Sequence, residues 1–82
     1  MDEQTNQGTV VAVRGSVVDV RFERKLPEIR NVLRTGENRK IRIEVKAQLN
    51  ARVVRGISLT PTQGLSRGSP VVDTGGPFML PV

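Results

Sequence analysis

Apolar residues recur at every second position over several short stretches, the period of a half-buried strand. The cleanest stretch is residues 40–46, where Ile41, Ile43 and Val45 alternate with Lys40, Arg42, Glu44 and Lys46. Residues 16–22 repeat the pattern, with Val18, Val20 and Phe22 on one face and Val17, Asp19 and Arg21 on the other. Residues 8–14 read as a strand apolar on both faces, Val10 and Ala12 against Val11 and Val13. An isolated Gly inside a strand pattern predicts a bend, so residues 8–22 read as one long strand bent at Gly15. Residues 31–35 and 52–59 are further strands, with Gly56 predicted to mark a second bulge. Two short extended pieces, 71–74 and 78–82, flank Gly75, Gly76 and Pro77.

The intervening segments carry turn chemistry. Residues 23–25 are charged, and Pro27 fixes the backbone of the 26–29 connector. Residues 36–38 form a turn, and residues 47–51 another, in which Asn50 is expected to adopt a left-handed backbone. Residues 60–70 hold Pro61, Gly64, Gly68 and Pro70 and read as loop. Residues 1–7 are polar and expected to fray, leaving 8–82 as the folded domain. Six short strands with evenly spaced turns predict an all-β fold, a small closed six-stranded antiparallel β-barrel.

Composition sharpens this picture. Val and Ile make up 17 of the 30 hydrophobic residues, a balance that favours strands over helices. A chain of 82 residues buries a thin core, and without Cys it has no disulfide or thiolate metal site to staple it. Partners are then the expected source of support. The longest apolar run, Val10 to Val13, is far too short to cross a bilayer, and the acidic start is not that of a targeting peptide.

The same inventory excludes most chemistry. There is no His to activate a Ser or Thr nucleophile, and no Lys follows a Ser at a useful spacing. Asp19, Glu23, Glu28, Glu37, Glu44 and Asp73 stand beside basic residues or in turns and read as ordinary surface acids. The segment from Gly64 to Ser69 has two glycines but no Lys, and Pro70 stands where a phosphate-binding helix would start, so it reads as a turn. The net charge of +5 raises an alternative function, a basic barrel binding RNA or single-stranded DNA. Arg39, Lys40, Arg42 and Lys46 form the densest basic stretch. Only two aromatic residues, Phe22 and Phe78, are present, too few for a base-stacking platform, so no nucleic acid is expected.

Several segments together resemble one family. They run from Gly8 through Phe22, then Leu26-Pro27-Glu28-Ile29, the loop Gly64-Leu65-Ser66-Arg67-Gly68 and the turn Asp73-Thr74-Gly75-Gly76-Pro77. In this order they are similar to the N-terminal domain of the catalytic β subunit of rotary F-type ATP synthases. The resemblance implies a six-stranded barrel that alternates with barrels of α subunits in a ring, the crown, which holds the catalytic head together. It implies a parent complex that makes ATP from ADP and phosphate with a transmembrane ion gradient, peripheral on the cytoplasmic face of the bacterial inner membrane. Mg-ATP or ADP would bind the parent subunit outside this span, so no catalytic, nucleotide-binding or metal-ligating residue is carried over. The short length then reads as one domain of a longer subunit. Gly15, Pro27, Asn50, Gly64, Gly68 and Gly75 transfer as structural turn positions, Asn50 replacing a usual Gly. Arg30, Arg34 and Arg39 make this chain more basic than the family pattern. Residues that alternate with the core set, namely Val17, Asp19, Arg21, Arg42 and Glu44, together with Arg67, are the candidates for contact with neighbouring subunits.

Overall fold

The computed structural model describes residues 6–77. Six strands, β1 (Asn6–Arg14), β2 (Val17–Phe22), β3 (Asn31–Thr35), β4 (Ile41–Gln48), β5 (Val53–Ser58) and β6 (Pro70–Pro77), close into one barrel in the order β1-β2-β5-β4-β3-β6. Every neighbouring pair is antiparallel. Closure removes the free edges that a thin-cored sheet would otherwise expose. The interior is filled by Val10, Val18, Val20, Phe22, Leu33, Ile43, Val45, Val54 and Val71, each at most 2% exposed.

The expected long strand bent at Gly15 is instead a hairpin. Arg14 pairs with Val17 across a two-residue turn, and Gly15 takes φ +58. A Gly with positive φ as the first of two turn residues suits the twist of antiparallel strands. The bend lies elsewhere. The β1–β2 register slips between Val10 and Ala12, so Val11 is an extra residue. This bulge moves Val13 onto the inner face with Val10, opposite Val18 and Val20. The two apolar faces of residues 8–14 are therefore one inner face that changes parity at Val11. Likewise Gly56 does not bulge; the slip falls on the facing strand, between Val45 and Ala47.

Other boundaries shift for local reasons. β1 begins at Asn6, inside the expected tail, because Asn6 and Gln7 pair with Asp73 and Val72. β6 runs through Gly75 and Gly76 instead of stopping before them, although its register with β3 slips between Asn31 and Leu33. The Thr74 hydroxyl spans that irregularity by donating to the Val32 carbonyl (2.7 Å). Asn50 does not adopt a left-handed backbone; its side-chain oxygen accepts from the Arg52 and Val53 amides at 2.8 and 2.9 Å and shapes the β4–β5 turn. Among the described residues the non-glycine positions with positive φ are Arg30, Asn38 and Arg39. Gly64 and Gly68 are at positive φ in turns; Gly75, expected in a turn, also has positive φ but lies within β6, and Pro27 is buried in the connector. The extended piece expected at 78–82 lies outside the described residues.

The two barrel ends differ. At one end stand the β1–β2 hairpin, the 36–40 loop and the long 59–69 loop, which is bonded to β1 through Gly68 and Val10 (2.8 Å) and places Leu65 against the core. At the other end the 23–30 connector is tied to β4, with the Arg30 amide donating to the Val45 carbonyl (2.8 Å) and the Gln48 amide group to the Pro27 carbonyl (3.0 Å).

Candidate subunit interface

Among the described residues the inward positions of the barrel are filled by buried side chains. Beside the connector lies a cavity of about 110 Å³, lined by Lys25, Leu26, Pro27, Glu28, Asn31, Asp73 and Gly75. Sites for drug-sized ligands run roughly 300–1,000 Å³. Among the described residues there is no cluster of three or more metal-ligating side chains. The outer surface is therefore the place to look for function.

Strand β5 sets the character of that surface. Its inward positions are Val54, Gly56 and Ser58, all buried, and its outward positions are Val53, Arg55 and Ile57, followed by Leu59. The apolar pattern is partly inverted: a Gly and a Ser face the core while an Ile and a Leu face out. The narrow barrel explains the inner half. A side-chain carbon on Gly56 would lie 2.5 Å from Ile43 Cγ2 and 2.7 Å from the Glu44 carbonyl oxygen. Nothing inside the domain explains the outer half, where Leu59 is 44% exposed.

Cross-strand register arranges the outer face in rows. One row runs Arg14, Val17, Ile57, Glu44 from β1 to β4. The next, nearer the hairpin end, runs Leu59, Arg42, Arg34, Val72; the Leu59 amide bonds to the Arg42 carbonyl at 2.7 Å. Three of the expected contact residues, Val17, Arg42 and Glu44, are thus brought together, with Ile57 and Leu59 between them. A partly apolar patch with arginines resembles the composition of interface centres. Glu44 and Lys46 make a surface pair at 3.5 Å.

Asp19 and Arg21 stand on the same outer face but are engaged within the domain. Asp19 is only 8% exposed and takes both Arg55 Nε and Nη2, at 2.9 and 3.1 Å. The hydrogen bond to Asp19 holds the Arg55 guanidinium above its ordinary range. Arg21 and Arg52 both bond Glu23, at 2.7 and 2.6 Å. The hydrogen bond from Arg21, with its charge, holds the exposed Glu23 carboxyl below its usual value. The small stability this contributes is present above the usual carboxylate range and is lost as pH falls through the lowered value. Arg67 is exposed in the 59–69 loop, away from these rows.

Two of the six presumed surface acids, Asp19 and Asp73, are buried instead. Asp73 points inward near the connector end, where it accepts from Asn6 Nδ2 (3.1 Å), Asn31 Nδ2 (3.3 Å) and the Gly75 amide (2.9 Å). These bonds tie β6 to β1 on one side and to β3 on the other. Ile57 and Leu59 were missed as surface residues because the supposed bulge at Gly56 hid the parity of residues 52–59. Reading that segment as an unbroken strand places Ile57 and Leu59 opposite to Gly56 and Ser58.

Comparison with known families turns on the whole barrel. A model of the ATP synthase alpha/beta family, β-barrel domain, matches residues 10–75. The chain belongs to that family. It is 64% identical over 75 residues, 92% of its length, to ATP synthase subunit beta 2 of Polaromonas naphthalenivorans. It is 61% identical over 77 residues, 94% of its length, to ATP synthase subunit beta 2 of Albidiferax ferrireducens, and 53% identical over 81 residues, 99% of its length, to that of Chlorobium luteolum. The matches cover 16%, 15% and 17% of those relatives, so the chain spans about a sixth of their length. It corresponds to the N-terminal β-barrel domain of an ATP synthase β subunit. No helix among the described residues is long and apolar enough to cross a membrane.

Proposed function

We propose that this β-barrel domain is an assembly module, which holds the β subunit against neighbouring α subunits in the alternating ring of an ATP synthase head. The observation that carries this reading is the inverted pattern of β5, with Ile57 and Leu59 outward and Gly56 inward. An apolar strip outside a filled barrel gains burial only from a surface outside the domain, at about 25 cal/mol per Å² removed from water. A closed barrel also suits a mechanical collar, because its strands are bonded all the way round and no edge can open under load. In this reading Mg-ATP or ADP binds the parent subunit outside the barrel. The parent complex couples ATP synthesis to an ion gradient, at the cytoplasmic face of the bacterial inner membrane.

The test is Ile57→Asp in a β chain co-expressed with its α partner. Because Ile57 faces outward, the variant is expected to melt within a few degrees of the unmodified chain. Its association with α is expected to weaken at least tenfold, roughly 1.4 kcal/mol, by sedimentation or native mass spectrometry. Association at unchanged strength by a folded variant would remove the β5 strip from the interface.

A further inference from the structure

One ion pair stands in the middle of the β5 face. Asp19 on β2 and Arg55 on β5 lie directly opposite each other in register, and both alternate with inward residues. An outward carboxylate on a small barrel is normally wet, yet Asp19 is 8% exposed. It accepts from Arg55 Nε and Nη2 at 2.9 and 3.1 Å. Two bonds from one side of a planar guanidinium fix both its position and its plane.

The other side of the guanidinium is left open. Asp19 takes one hydrogen each of Nε and Nη2; Nη1 and the second hydrogen of Nη2 find no acceptor among the described residues. The Arg55 side chain is 40% exposed. Its surroundings suit burial by a partner. In the same row Ala12 flanks Asp19 and Ala47 flanks Arg55. Val17 and Ile57 form the next row, and Val53 precedes Arg55 on the outer face of β5. The charged residues diagonal to Arg55, Arg21 and Glu44, are paired with Glu23 and Lys46. An Arg ringed by uncharged side chains is the composition of an interface centre. An ion pair this exposed adds little to the barrel's own stability. What it supplies is an Arg whose side chain is ordered before any partner arrives, which lowers the entropy cost of binding.

We propose that Arg55 anchors the lateral face, its open edge receiving a carboxylate of the neighbouring α subunit in a second two-bond contact, with Asp19 as the positioning residue. The inference rests on the assembly reading and adds a partner chemistry to it. A planar pair of N–H groups matches a carboxylate. The outer positions of β1, β2, β4 and β5 also hold Arg14, Arg21, Arg42, Lys46 and Arg55 against Asp19 and Glu44, so the face as a whole favours an acid.

The experiment measures association of the β chain with its co-expressed α partner at low and at high salt. Asp19→Asn/Arg55→Gln removes the pair without leaving a lone charge, and is expected to melt within a few degrees of the unmodified chain. Its association is expected to weaken roughly tenfold at low salt and to lose part of its salt dependence. Arg55→Lys keeps the charge but not the fork, and should weaken association nearly as much. Full association of either variant would overturn the proposal. So would a loss in the double variant with salt dependence unchanged, which would mean a neutral acceptor. Ile57→Asp separates the two readings. If it breaks association and the double variant does not, the lateral interface stands and the anchor falls; if neither does, both fall.

Discussion

Gly56→Ala is expected to destabilise the domain by about 2–3 kcal/mol, the upper part of the range for overpacked cores. Ala is normally a mild replacement for strand Gly. Here the added carbon meets backbone, the Glu44 carbonyl oxygen at 2.7 Å, as well as the Ile43 methyl at 2.5 Å. The methyl can rotate away, but the carbonyl belongs to the β4–β5 ladder, where Val45 pairs with Gly56. Relief therefore requires the two strands to separate. Total stability for a chain of this size is on the order of 4–12 kcal/mol, so the loss is a large fraction of it. Urea unfolding followed by circular dichroism measures the effect. A change below about 0.5 kcal/mol, the range of an ordinary surface substitution, would mean that the strands part more easily than their packing implies.

The second large effect is expected at Asp73. Replacing it with Ala strands two donors, the Asn31 amide and the backbone N–H of Gly75, and leaves the Asn6 amide only the Lys25 carbonyl at 2.7 Å. Leaving partly buried groups unpaired costs about 1–3 kcal/mol, and the expected loss is about 2 kcal/mol. Asp73→Asn keeps a carbonyl oxygen for some of these donors and should lose about half as much. Both numbers come from the same urea titration. Equal stability of the Ala variant and the unmodified chain would show that water replaces the carboxylate without cost.

The sequence shows the barrel more plainly than it shows the barrel's outer face. Period-two alternation in residues 16–22 and 40–46 is strong because those strands have one dry and one wet side. The strand count survives even where parity does not, since β-branched residues and turns mark the segments regardless of register. Parity fails at bulges. Val11 and Lys46 carry no distinguishing chemistry, because an extra residue is fixed by the partner strand's length. Gly15 and Gly56 look alike in sequence, yet one makes a hairpin at positive φ and the other yields space to Ile43. Asp73 reads as a turn acid because its partners, Asn6 and Asn31, lie 67 and 42 residues away. The arginines of the outer face are visible as charge, but only the β3–β4 register shows that Arg34 and Arg42 face one another.

Family membership and the inverted β5 strip lead to one central claim, that the outer face around Ile57 and Leu59 is covered by a neighbouring subunit. Hydroxyl-radical footprinting of these side chains tests it directly. In the β chain alone Leu59, 44% exposed, should be oxidised readily and Ile57 more slowly. In the assembled α–β ring both should be protected several-fold. Unchanged oxidation of Leu59 and Ile57 in a ring shown to be intact would contradict the account.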